Sequence, residues 1–182
     1  GDPMPDATMR AIEYAKADEN DILIRITATN RGPKTAALQL LPTLWYRNTW
    51  SWGYPNGPLN DVPGKPRMEQ IKTQSGTFAV KANHPTQGEY NFYVENAPDI
   101  LFTENETNMQ RVFGAPNDTP YKKDAFNRYV INGEKGAVNP ARIGTKAAVH
   151  NLVEVPAGQS TSIRLRLTNQ VQNHPFKEFN PI

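Results

Sequence analysis

The sequence predicts an all-β protein, with antiparallel strands packed as a two-sheet sandwich and a long Asn-, Gly- and Pro-rich loop segment. Three observations carry this. The dominant hydrophobic period is two rather than 3.6. Runs rich in β-branched and aromatic residues recur at short spacing, with turn residues between them. No succession of long amphipathic helices breaks the series. About ten strands in two sheets are expected.

The elements follow in order. IEYAKA (12–17) and DILIRITATN (21–30) flank a polar turn at Asp18–Asp21. In the second run Ile22, Ile24, Ile26 and Ala28 alternate with Leu23, Arg25, Thr27 and Thr29, so the isoleucines are expected to face a core. NRGPKTA (30–36) is turn chemistry. ALQLLPTLW (37–45) reads as a third strand, giving a meander over residues 10–45, with Pro42 at an edge or bulge because it cannot donate to a ladder. Residues 53–66, GYPNGPLNDVPGKP, form a loop with no core of their own. Strands are expected at RMEQIKTQ, TFAVKA, EYNFYVE and DILFTE, the first two joined by a hairpin-like Ser75-Gly76. Residues 104–145 lose periodicity, with room for a short helix at Lys122–Tyr129. AAVHNLVEVP and TSIRLRLT close the series across the turn AGQS. The last places Ile163, Leu165 and Leu167 on one face and Arg164, Arg166 and Thr168 on the other.

The 182 residues suit a single domain, residues 1–182, with a core that needs no covalent staple. The start, GDPMPDATM, reads as an added scar, and residues 1–8 are expected to be disordered. Residues 169–182 read as a connecting tail cut short. There is no cysteine, which excludes disulfides and thiolate metal sites; it fits a reducing compartment, with the cytoplasm as the expectation. The net charge of +2 arises from interspersed charges with no basic stripe, so nucleic acid is not an expected partner. No apolar run reaches the ~20 residues of a membrane-spanning helix.

No phosphate loop, dinucleotide fingerprint, zinc-protease motif or nucleophile elbow is present, and no cofactor is expected. His84, His150 and His174 lie far apart, and His150 sits in a strand pattern as a satisfied sheet histidine; no metal site is expected. Glu104 and Glu106 in FTENETN are the close carboxylates of a polar stretch. On a strand an i, i+2 pair points the same way, roughly 6 to 7 Å apart, which falls within the reach of glycoside hydrolysis. The plainer reading is a polar loop end. Asn105–Thr107 and Asn117–Thr119 match a glycosylation triplet that chance supplies often.

LPTLWYRNTWSWG (41–53) holds all three tryptophans of the chain. Alternation places Leu44, Tyr46 and Asn48 on one face and Trp45, Arg47 and Thr49 on the other, with Trp50 and Trp52 sharing a face. Such rings serve equally as core, as a sugar-stacking platform or as a protein interface.

Four stretches carry a resemblance: LPTLWYRNTWSWG, LFTENETNMQRVFG, YVINGEKGAVNPARIGTKAAVH and VPAGQSTSIRLRL. Together, in this order and spanning 12–167, the chain resembles large bacterial proteins related to glycoside hydrolase family 63. The resemblance implies a supersandwich-like domain preceding an (α/α)6 barrel that hydrolyses α-glucosidic bonds with inversion. The barrel would carry the acid and base carboxylates, so no catalytic residue is assigned to this chain. It is then expected to be a non-catalytic sandwich domain of a larger enzyme, with the barrel as its partner. A surface made of Trp45, Arg47, Asn48, Trp50 and Trp52 with Glu104, Asn105, Glu106, Asn108, Asn139 and Arg142 is the expected domain junction or active-site rim. Pro140 and Gly144 lie in the same stretch. An independent carbohydrate-binding module built on Trp45–Trp52 is the alternative. An oligosaccharide is its expected ligand, and self-association is expected where the junction lies bare.

Overall fold

The structure, a computed structural model, describes residues 8–50, 64–73, 77–96, 99–177 and 179. Among these it contains strands β1 (Thr8–Asp18), β2 (Asp21–Asn30), β3 (Ala36–Leu40), β4 (Thr43–Trp45), β5 (Arg67–Lys72), β6 (Phe78–His84), β7 (Gly88–Val94) and β8 (Ile100–Thr103). Two helices follow, α1 (Met109–Phe113) and α2 (Ala125–Asn132), then β9 (Ile143–Gly144), β10 (Lys146–Val149), β11 (Asn151–Val155) and β12 (Ser160–Thr168). Of the expected disordered start only Thr8 is described, and it pairs with Asn30.

The fold is an antiparallel β-sandwich. One layer is a seven-stranded sheet in the order β1-β2-β12-β7-β6-β5-β9. The other is built from a three-stranded sheet, β4-β10-β8, and a two-stranded sheet, β11-β3. These smaller sheets are one surface bent across its middle. The chain runs from β3 to β4 through Leu41 and Pro42, and back from β10 to β11 through His150. Pro42 has no N–H for a ladder, but its carbonyl accepts from Val149 N at 3.0 Å, so the strands stay in step across the bend.

The core fills the space between the layers with Met68, Val80, Ala82, Phe92, Ile100, Phe102, Ala147, Val149, Ile163 and Leu165. Of the six residues expected to face it, Ile26, Ile163 and Leu165 are buried there, and Ile24 and Leu167 pack against it half-buried. Ile22 is half-buried, while its neighbour Leu23 on the other face is buried. Arg166 pairs with Leu23 across the strands, grips Asp21 and donates to the Pro175 carbonyl at 3.0 Å. The C-terminal segment, read from sequence as a connection, thus lies on the outer face of the large sheet. Gln172 N donates to the Tyr93 hydroxyl at 2.9 Å, and the Arg164 guanidinium stacks 5.7 Å from the Phe176 ring.

Two local expectations are corrected. The three-strand meander stops after two, because β2 takes β12 as its second neighbour and β3 crosses to the opposite layer. Asn30 makes that crossing: its side chain donates to Lys34 O at 2.7 Å and to Val155 O at 2.8 Å, and accepts from Gly32 N. The segment 104–145 is not wholly irregular. α1 is capped by Asn108, which accepts from Arg111 N at 3.1 Å, and ends at Gly114 in the left-handed conformation. The helix expected at Lys122–Tyr129 starts at Ala125, and it packs Ala125 and Phe126 against Leu101 and Ala148, the outer face of β8 and β10. The Ser75-Gly76 turn lies outside the described residues, although β5 and β6 pair as expected from Met68↔Ala82 to Lys72↔Phe78.

Candidate functional site

The end of β8 and the chain after β4 meet, and there the aromatic stretch reaches the acidic pair. β8 ends at Thr103, so Glu104, Asn105 and Glu106 emerge from the sandwich beside Tyr46, Asn48 and Trp50. Two asparagine side chains carry the contact to backbone carbonyls. Asn48 Nδ2 donates to the Asn105 carbonyl at 2.8 Å, and Asn105 Nδ2 donates to the Tyr46 carbonyl at 2.9 Å. Buried Thr145 closes it from beneath. Its hydroxyl accepts from Asn105 N at 2.7 Å and donates to Glu104 Oε2 at 2.9 Å.

Both carboxylates are held by ammonium groups. Lys65 Nζ lies 2.9 Å from Glu104 Oε2 and 3.0 Å from Glu106 Oε1. Sharing one nitrogen, these oxygens stand no further apart than twice a hydrogen-bond length. Trp50 Nε1 donates to the same Glu106 oxygen at 3.0 Å. Lys122, its side chain only 3% exposed, approaches the other oxygen of Glu106 at 2.9 Å and also pairs with Asp118.

Burial alone would raise the Glu106 pKa, but hydrogen bonds from Lys122, Trp50 and Lys65 outweigh it and hold the carboxyl below its ordinary value. The converse holds for Lys122: burial lowers it, and hydrogen bonds to Asp118 and Glu106 carry it above the usual lysine value. Lys65 behaves likewise, with burial outweighed by Glu104 and Glu106. A general acid at neutral pH needs the opposite shift, a carboxyl pushed up. The cluster is a pinned ion-pair network joining the 46–50 and 104–106 segments.

The remaining candidates divide. Trp45 is 56% exposed and Arg47 is exposed, whereas Leu44 and Tyr46 pack on the core, which is the alternation read from sequence. Trp52 lies outside the described residues. Asn108 belongs to the helix pair, capping α1 and donating to both Asp124 oxygens. Arg142 lies at the other end of β8 and Asn139 N donates to the Phe102 carbonyl at 2.8 Å; neither side chain bonds to the Glu104–Glu106 cluster. Asn139 shapes its own turn through Ile143 O and Ala141 N. Arg142, at positive φ, donates to Asp99 Oδ1 at 2.6 Å. Gly144 lies where β9 crosses β8 so closely that a Cβ would overlap the Thr103 carbonyl. His150 is bonded to Gln39 at 2.8 Å, and among the described residues no three His, Asp or Glu side chains form a metal-holding group. No described helix is long and apolar enough to cross a membrane.

Sequence reasoning named Glu104 and Glu106 but missed Lys65, Lys122 and Thr145. Two close carboxylates leaving a buried strand call for cations nearby, but the sequence does not say which lysines supply them.

No family model matches the chain. It is similar to the Uncharacterized protein YMR196W of Saccharomyces cerevisiae, 30% identical over 194 aligned positions. The match covers 92% of this chain, which spans 17% of the length of that yeast protein. Among solved structures it is similar to the Polysaccharide Lyase BACCELL_00875, at a TM-score of 0.51 and 10% identity. That match covers 93% of this chain and 21% of the lyase, a likeness of fold in which an antiparallel β-sandwich recurs as one part of a longer chain.

Proposed function

We propose that this chain is a non-catalytic β-sandwich domain of a larger carbohydrate-active protein related to glycoside hydrolase family 63. In this reading it seats an (α/α)6 barrel that carries the acid and base carboxylates for hydrolysis of α-glucosidic bonds. The observation that carries the non-catalytic part is the closure of Glu104 and Glu106 by Lys65 and Lys122, which leaves neither carboxyl placed as a proton donor. The likeness of fold to a polysaccharide lyase supports the carbohydrate context, and the 17% share of the yeast relative supports a domain within a longer polypeptide. The test assays the 182-residue chain and the longer polypeptide containing it on α-linked glucosides. Turnover by the longer polypeptide alone is expected; turnover by the chain alone contradicts the reading.

A second reading, an independent carbohydrate-binding module, is favoured by the exposed ring of Trp45. Trp50 is half-buried, and its N–H is bonded to Glu106. Titration calorimetry of the chain with maltooligosaccharides separates the two readings. Heat that vanishes in Trp45→Ala supports the module, and its absence supports the docking domain.

A further inference from the structure

The two layers of the sandwich are unequal, and the mismatch leaves one flank open. Seven strands face a layer three strands wide. β8 lies beside β9 at one end, while β11 lies over β12 and β2. Beyond β3 and β4, among the described residues, no strand covers the inner face of the β1–β2 hairpin. Ile12 and Tyr14 project there, 53% and 68% exposed, paired across the strands with Ile26 and Ile24. Together with Leu41, Leu44 and Leu167 they line an apolar cleft of about 370 Å³.

The strand edge bordering this cleft has Pro42 as a block to pairing but no charge. Natural edge strands carry charges that discourage pairing, yet AALQLLPTLW (36–45) carries none, and Pro42 alone interrupts it. Among the described residues, β3 pairs only with β11 and β4 only with β10, so the outer edge of each has no strand against it. An apolar face beside an open backbone edge is what a β-strand fills. Its backbone supplies the ladder, and its alternate side chains supply the inward face.

Resting on the reading of this chain as part of a longer protein, we propose that a further extended segment of the same polypeptide adds as a β-strand to the outer edge of β3–β4. Its inward, alternating apolar residues cover Ile12, Tyr14 and Ile24. The relative supplies the reason for choosing this occupant over a second copy of the chain, since most of the yeast protein lies outside the stretch this chain matches.

Hydrogen–deuterium exchange on residues 36–45 tests the proposal, in the 182-residue chain and in the longer polypeptide. Backbone amides on the open edge are expected to exchange quickly in the chain and about a hundredfold more slowly in the longer polypeptide. A second arm uses Ile12→Ser with Tyr14→Ser, which should leave the melting temperature of the chain unchanged or higher and lower that of the longer polypeptide. Fast exchange of 36–45 in both settings overturns the strand addition while leaving the domain reading intact. Protection in the chain alone that grows with its concentration overturns it in favour of a second copy. Protection in a longer polypeptide that does not act on α-glucosides supports the added strand and overturns only the carbohydrate reading.

Discussion

The Trp50 indole N–H donates to Glu106 Oε1 at 3.0 Å, joining residues 56 positions apart in the sequence. The bond explains why an aromatic cluster and an acidic pair both belong to this fold. Each segment leaves the sandwich as irregular chain, and each is fixed by the other. Trp50→Phe keeps one aromatic ring but removes the N–H donor together with the five-membered ring that carries it. It is expected to cost about 1.5 to 3 kcal/mol, the range for a hydrogen bond to a charged group, measured by urea unfolding. A loss below 0.5 kcal/mol would show that the bond does not hold the two segments together.

The network makes stability depend on pH at both ends. Glu106 is held below its ordinary value of 4.5, so its contribution is complete above that value and lost as pH falls through the depressed folded pKa. Lys122 and Lys65 are held above their ordinary value of 10.5, so their contribution is complete below that value and lost as pH rises through the raised folded pKa. The stability that this network contributes is expected to stay level between these limits and to fall outside them. Glu106→Gln should flatten part of the acid limb. An acid limb identical in wild type and variant would exclude Glu106 from the linkage.

The core positions are not equivalent. Leu165, 1% exposed and central in β12, is expected to lose about 2 to 5 kcal/mol on replacement by alanine. Ile24 borders the open cleft, where part of its side chain is already hydrated, and Ile24→Ala should cost about 1 to 2 kcal/mol. Equal losses in denaturant unfolding would mean that the cleft is closed in solution.

Gly144→Ala places a Cβ against the Thr103 carbonyl, and backbone on both sides must shift. The expected cost is about 3 kcal/mol. Because Thr145 follows directly and holds Glu104 and Asn105, the variant should also weaken the Trp50–Glu106 contact, read as a change in tryptophan fluorescence. Unchanged stability and emission would refute the close crossing.

Much of this architecture was legible in the sequence. Period-two alternation in DILIRITATN and TSIRLRLT placed Ile26, Ile163 and Leu165 in the core, because a strand's side chains must point to opposite faces. Alternation does not say which strand is the neighbour, and so the meander failed where Asn30 turns the chain to the other layer. α1 was missed because a helix of five residues has no period to read; its only marks are Asn108 and Gly114 at its ends. In the site the carboxylates were visible and the lysines were not. Lys122 is buried and Lys123 is exposed, and nothing in the pair of identical residues tells one from the other.

The central claim is that Glu106 holds the fold together and performs no chemistry, and Glu106→Gln tests it most directly. Among the described residues, the substitution leaves buried Lys122 with only the exposed Asp118 as a charged partner. Measured on the 182-residue chain, unfolding free energy and α-glucoside turnover should show a loss of about 3 kcal/mol in stability and no turnover before or after the change. Unchanged stability together with a wild-type turnover that disappears in the variant would contradict the account.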